Sequence, residues 1–193
     1  MIRSRADYLR YLECDRIALG RAPRTLGVRL RNVIAPDYIW DFQRLLRRLE
    51  YWQNSSGPFA RLMHLLVWIR FRRTSLRLGF TIPANVFGPG LAIVHYGLIV
   101  VNKRARVGAN CRIHPGTSIG ASAGADEAPQ VGDKVYLAPG AKIFGNVRIA
   151  SNTAIGANAV VTKSFPEEHT MIAGVPARVI KPIDIRTIIR HLQ

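Results

Sequence analysis

The chain predicts a mainly β protein: a parallel β-helix built from six-residue repeats, preceded by an α-helical N-terminal part and followed by a short C-terminal helix. Three observations predict it. Across residues 101–161 an apolar residue returns every sixth position: Val101, Val107, Ile113, Ile119, Ala125, Val131, Leu137, Ile143, Ile149, Ile155 and Val161. Four residues after most of these stands a small or β-branched residue: Cys111, Thr117, Val135, Ala141, Val147, Thr153 or Ala159. From residue 79 onward the composition shifts abruptly to Gly, Ala, Val, Ile, Asn and Pro. A period of six fits neither an amphipathic helix, at 3.6, nor an ordinary strand, at 2. It fits a solenoid whose inward positions fill an axis while Gly and Asn turn the corners.

Residues 1–78 carry the helical part. Tyr8, Leu9, Leu12, Ile17 and Leu19 stand close to helical spacing, with Ser4 as N-cap. Residues 20–36 are turn-rich and basic, a connector. Asp37 caps a helix to about Gln53 with Ile39, Trp40, Phe42, Leu45, Leu46 and Leu49 apolar, and NSSG at 54–57 breaks it. Pro58 suits the first turn of a third helix to about Leu78. That helix pairs Leu62, Leu65, Leu66 and Ile69 with Arg61, Arg70, Arg72, Arg73 and Arg77, which predicts a packed apolar stripe with a solvated basic face. The competing reading is an interfacial membrane helix.

Residues 79–181 form the β-helix. Phe87, Ile93 and Ile99 keep the six-residue step but run two residues out of phase with Val101 and Val107, so the first coil is irregular. Residues 121–130, ASAGADEAPQ, fill two hexads with no aliphatic side chain except that of Ala125, and predict a loop leaving the solenoid. Residues 182–193 form a tail, with Ile183, Ile185, Ile188, Ile189 and Leu192 available to pack a short helix.

The formal net charge is +16, of which residues 1–78 contribute +10 from 16 Arg and 6 acids. Such a balance points to an anionic partner: a lipid surface, a phosphorylated small molecule or nucleic acid, the last ranked lowest for want of any binding motif, so no nucleic-acid partner is expected. The charged start MIRSRADYLR predicts no secretory leader, and the apolar run 62–69 is too short to span a bilayer. Two cysteines, with Cys111 on an inward position, fit a reducing compartment. The expected location is the cytoplasm, with peripheral contact at the inner face of the membrane left open. No His, Cys, Asp and Glu grouping has ligand spacing, so no metal is expected.

The segments GPGLAIVHYGLIVV, APGAKIFGNV, IGANAVVTK and AGVPARVIK, with the repeats between them, resemble the left-handed β-helix acyltransferases over about residues 82–181. The helical N-terminal part and a His just before GLIVV resemble the serine acetyltransferase branch most. The resemblance implies a left-handed triangular prism, a homotrimer with sites between neighbouring prisms, and acetyl-CoA as co-substrate. It implies an O-acetyltransferase whose acceptor hydroxyl belongs to a sugar of a surface polysaccharide or its precursor, or to L-serine. A chain of another class would be a non-catalytic trimeric scaffold that binds an anionic membrane or partner through its Arg-rich helices.

Acetyl transfer from a thioester to a hydroxyl needs a base, an oxyanion donor and a groove for the cofactor. His95, in GLAIVHYG, matches the family's base; the competing reading is a structural turn histidine. His114, in CRIHPGTSIG, is second in line. The resemblance places Ala138, Pro139, Gly140 and Ala157 along the pantetheine arm, and Thr162, Lys163, Arg178 and Lys181 at the nucleotide phosphates. The chain departs from the serine acetyltransferase pattern in three places. Val94 stands where the family has an acid before its His, Thr81 near another acid position, and Ala128 where a second His precedes Pro129.

Overall fold

The computed structural model describes the chain except residues 24, 26, 28–33, 123–124 and 193. Part of the basic connector and two positions of the 121–130 loop therefore lie outside the described residues.

Among the described residues three helices lead the chain. α1 (Arg5–Ala18) begins at Ser4, whose hydroxyl accepts from the Asp7 amide, and α2 (Tyr38–Gln53) begins at Asp37, whose carboxylate accepts from the Trp40 amide. α3 (Pro58–Leu78) starts on proline, whose missing N–H costs nothing there, and stops at Gly79 in the left-handed conformation, φ 76°.

Beyond Gly79 the chain winds through three parallel sheets. The first stacks Phe80–Thr81, Ile99–Val101, Ser118–Gly120, Lys142–Phe144 and Val160–Val161. The second stacks Arg106–Val107, Gln130–Val131 and Arg148–Ile149, extended by single bridges from Phe87 and Phe165. The third stacks Ala92–Ile93, Arg112–Ile113, Tyr136–Leu137, Ala154–Ile155 and Thr170–Ala173, and closes with the antiparallel strand Arg178–Pro182. Register keeps like above like: Val101, Ile119, Ile143 and Val161 pair in one column, and Ile93, Ile113, Leu137, Ile155 and Ile172 in another. These side chains are buried, as are the partners four residues on, from Cys111 to Ala159. Burying each aliphatic side chain contributes on the order of 1.5–3 kcal/mol. Burial also pushes the Cys111 thiol up to about 12, which makes it an inert core residue.

The corners follow their own rule. Gly116, Gly140 and Asn158 repeat at one corner and Asn110, Lys134, Asn152 and His169 at another, all with positive φ. His169 is thus a turn residue.

The rhythm breaks twice. Ile93 pairs with Ile113, twenty residues on, while Val101 pairs with Ile119, eighteen on. The first coil therefore holds two extra residues between Ile93 and Val101, the physical basis of the phase slip. Ile119 and Val131 are separated by two hexads where the neighbouring coils use one, and Ala125 is exposed, off the axis it was assigned by counting in sixes.

The helices close the open end of the solenoid. Arg47 is fully buried and donates to Asp15, Glu50 and the carbonyls of Phe87 and Gly88. Asp15 in turn accepts from the amides of Gly90 and Leu91, and Gln43 bonds Leu91 and Ile93. The unpaired edge of the first coil is thereby satisfied by side chains of α1 and α2.

Two local expectations change. The tail forms two 3-10 turns, Ile185–Thr187 and Arg190–Leu192, where one helix was predicted; Ile185 and Ile189 pack on Ala154 with Tyr136 and Met171 at the margin. α3 meets the protein through Ala60, Val67, Phe71 and Ser75, while Leu62, Leu65, Leu66 and Leu76 point the other way. Apolar residues occupy both faces of this helix, and the narrower set won because Phe71 stacks on Phe42 at 5.3 Å between ring centres.

Candidate active site

The two extra residues of the first coil lie in the corner VHYGL, and they carry His95 outward. His95 and Tyr96 are exposed, while Ile93 before them and Ile99 after them are fully buried. Gly97 has φ 130°, and a Cβ there would stand 3.3 Å from Pro115 Cβ. The corner therefore rests directly on the HPG turn of the next coil. The backbone ties them: the Gly116 amide donates to the Leu98 carbonyl and the Val94 amide to that of Ile113.

This stacking brings His95 and His114 together, with ring centres 6.3 Å apart, and His114 in turn stands 5.2 Å from Tyr136. His114 is half-buried, and desolvation, helped by the Arg112 and His95 charges, lowers its pKa from 6.5 to about 4. It is a neutral imidazole at any working pH. Its Nε2 is buried without a partner. No carboxylate bonds either ring among the described residues. Val94, in the place of the family's acid, is half-buried hydrocarbon.

The same corner continues down the solenoid. Ala138, Pro139 and Gly140 follow His114 by one coil, and Ala157 follows them by another, as the pairing of Leu137 with Ile113 and Ile155 shows. Neighbouring coils are about 4.8 Å apart, so His95 to Ala157 spans roughly 15 Å. Glycines let the coils stack closely along this column: a Cβ on Gly116 would come within 3.1 Å of the Gly140 backbone, and one on Gly140 within 2.0 Å of Asn158 Oδ1. Below it the GVPA segment crosses, held by Ala177 donating to the Val160 carbonyl and Val160 donating to that of Gly174.

The remaining predicted residues are more dispersed. Thr162 and Lys163 follow Val160–Val161 towards the next corner, both exposed, with the Lys163 ammonium 5.6 Å from the Phe165 ring centre. Arg178 and Lys181 are exposed on the closing antiparallel strand. His64 is half-buried on α3, and His191 docks through Nε2 to Asn110 Oδ1 at 3.3 Å.

Two neighbours escaped the sequence reading. Tyr136 backs His114, and Lys142 points outward from the first sheet and donates to the Gly116 carbonyl. Each precedes an inward residue, as Arg106, Arg112 and Arg148 do, and nothing in the spacing distinguishes a site residue from a solvated one.

No protein-family model matches the chain. Over 107 residues it is 36% identical to the serine acetyltransferase of Staphylococcus aureus, a match covering 54% of this chain and 49% of that one. The chain thus spans about half the length of the curated relatives it matches. In structure it resembles serine acetyltransferase from Brucella abortus in complex with coenzyme A, with a TM-score of 0.72 and 27% identity over 93% of this chain and 70% of that one. It also resembles the Neisseria gonorrhoeae serine acetyltransferase in complex with serine, with a TM-score of 0.65 and 27% identity over 92% of this chain and 71% of that one. In fold, and in sequence over the 107 matched residues, the chain is serine acetyltransferase-like, a hexapeptide-repeat protein with the left-handed parallel β-helix of that group.

Proposed function

We propose that the chain is an acetyl-CoA-dependent O-acetyltransferase with His95 as general base. The observation that carries this reading is the corner column: an exposed imidazole at the head of a line of small residues, on the one corner of the coil that is two residues longer than its neighbours. His95 takes the proton of the acceptor hydroxyl as its oxygen attacks the thioester carbonyl. The tetrahedral intermediate then collapses, the C–S bond breaks, and the proton passes from the imidazolium to the departing CoA sulfur. His114, held neutral beside it, keeps a second positive charge away from the imidazolium.

Ala138, Pro139, Gly140 and Ala157 leave room for the pantetheine arm against the backbone. Thr162, Lys163, Arg178 and Lys181 supply the charge-assisted bonds that the nucleotide phosphates need. The family resemblance and the CoA complex of the Brucella relative support this assignment.

For the acceptor we propose a neutral sugar hydroxyl of a surface polysaccharide or its precursor. In the serine acetyltransferase pattern two acids and a second His orient the base and hold the amino acid's charged ends, and this chain has Val94, a site near Thr81 and Ala128 in their places. The likeness to a serine-bound enzyme favours L-serine instead, and both belong in one assay. The working unit is a homotrimer. Tyr96, Leu98 and Val100, which are 70%, 61% and 38% exposed beside His95, supply an apolar margin for a neighbouring prism. Among the described residues no helix is long and apolar enough to cross a membrane.

Free-thiol release from acetyl-CoA, followed with serine and with nucleotide-linked or lipid-linked sugars as acceptors, tests the reading. Turnover with a sugar supports it, turnover with serine alone corrects the acceptor, and no turnover or CoA-induced rise in Tm with any acceptor leaves the scaffold reading in its place.

A further inference from the structure

α3 turns its buried side to the protein with Ala60, Val67, Phe71 and Ser75. Its opposite side is apolar too. Leu62, Leu65, Ile69 and Leu76 are 53%, 51%, 37% and 76% exposed and recur at steps of three, four and seven, one stripe of a 3.6-residue helix. Leu66 and Trp68, 53% and 45% exposed, widen it. Arginines border the stripe on both sides, Arg61 and Arg72 along one edge and Arg70, Arg73 and Arg77 along the other, and all five are exposed. The helix holds no acid, and none of the five pairs with one among the described residues. The groove on the Arg72 side is also lined by Lys103 and Arg106, which extend the positive border, and by Arg104, which pairs with Asp126.

We propose that this outward face of α3 docks on an anionic phospholipid bilayer, its leucines, Ile69 and Trp68 entering the interface while the arginines hold headgroup phosphates. The pattern is that of a helix lying in the plane of the membrane: an apolar stripe between two basic edges whose long stems snorkel towards the phosphates. Charge selects this occupant. A second copy applied to the same face would bring two sets of five arginines together with no acid to offset them. A nucleic acid would meet the arginines and leave the leucines in water. An anionic lipid surface satisfies both.

The test is sedimentation of the full chain with vesicles of phosphatidylcholine alone or containing phosphatidylglycerol. The chain is expected to pellet with phosphatidylglycerol vesicles, to stay in solution with phosphatidylcholine alone, and to be released in large part by salt. Leu65→Asn with Ile69→Asn weakens binding, and Arg72→Gln with Arg73→Gln weakens it by roughly thirtyfold. These side chains face solvent, so the Tm and its rise with CoA stay as in the parent, which separates this face from the acetyl-transfer site. Leu76→Asn, at the most exposed position, provides an independent variant. Failure to pellet with phosphatidylglycerol vesicles overturns the proposal, as does binding that ignores every substitution. So does an assembly in solution that Leu65→Asn with Ile69→Asn dissociates while vesicle binding is absent, which assigns the face to a second copy.

Discussion

Arg47 grips Asp15 through two hydrogen bonds, Nε to Oδ2 at 2.8 Å and Nη2 to Oδ1 at 3.1 Å, with both side chains fully buried. The pair joins α2 to α1 and both to the first coil, since each partner also bonds the backbone of residues 87–91. Asp15 and Glu50 hold the Arg47 proton more tightly than usual against the opposing pull of burial.

Removing the cation leaves two buried carboxylates unpaired. Arg47→Met is expected to cost about 3–5 kcal/mol, because breaking a buried ion pair from one side exposes the desolvation penalty of the other. A denaturant midpoint measures it. An unchanged midpoint contradicts the capping role.

Gly116→Ala places a Cβ 3.1 Å from the Gly140 backbone at φ 79°. Strain of roughly 1–3 kcal/mol follows. Because this corner separates His114 from the Ala138 column, the KM for acetyl-CoA is also expected to rise, which a neutral surface substitution would not cause.

His114 sets a pH dependence of stability. Its folded pKa, about 4, lies below the unfolded 6.5, so the folded state binds fewer protons. The contribution is fully present above 6.5 and is lost as pH falls from 6.5 towards 4. His114→Gln should therefore flatten the acid side of the stability curve in that window. An identical curve would show that the imidazole is not desolvated.

Arg178→Ala and Lys181→Ala each remove one charge-assisted bond of about 1.5–3 kcal/mol. Steady-state kinetics should show KM for acetyl-CoA raised by roughly tenfold or more, with kcat preserved. A fall in kcat alone would place these residues elsewhere in the cycle.

Much of the fold is written in residues whose environment repeats. The inward column from Val101 to Val161 is legible because each coil asks the same thing of the same position, and the phase slip at Ile99 marks the longer corner that carries His95 outward. Helix starts are legible because Ser4, Asp37 and Pro58 act within one turn of themselves. The buried network is not, for Arg47 and Asp15 are 32 positions apart and an isolated charge resembles a solvated one. The orientation of α3 is equally hidden, since Leu65 and Phe71 offer two apolar faces and only Phe42 decides between them. Ala125 keeps the count in sixes, and the inserted hexad is legible only through the lack of aliphatic side chains across residues 121–130. At the proposed site, His95 stands out in the sequence by its motif, whereas Tyr136 occupies an outward position that any residue type fills.

The central claim rests on one imidazole. His95→Ala, assayed by thiol release with saturating acetyl-CoA and the accepted acceptor, is predicted to lower kcat by roughly 10²–10⁴-fold while CoA still raises Tm as in the parent. Turnover within a few-fold of the parent would contradict the account.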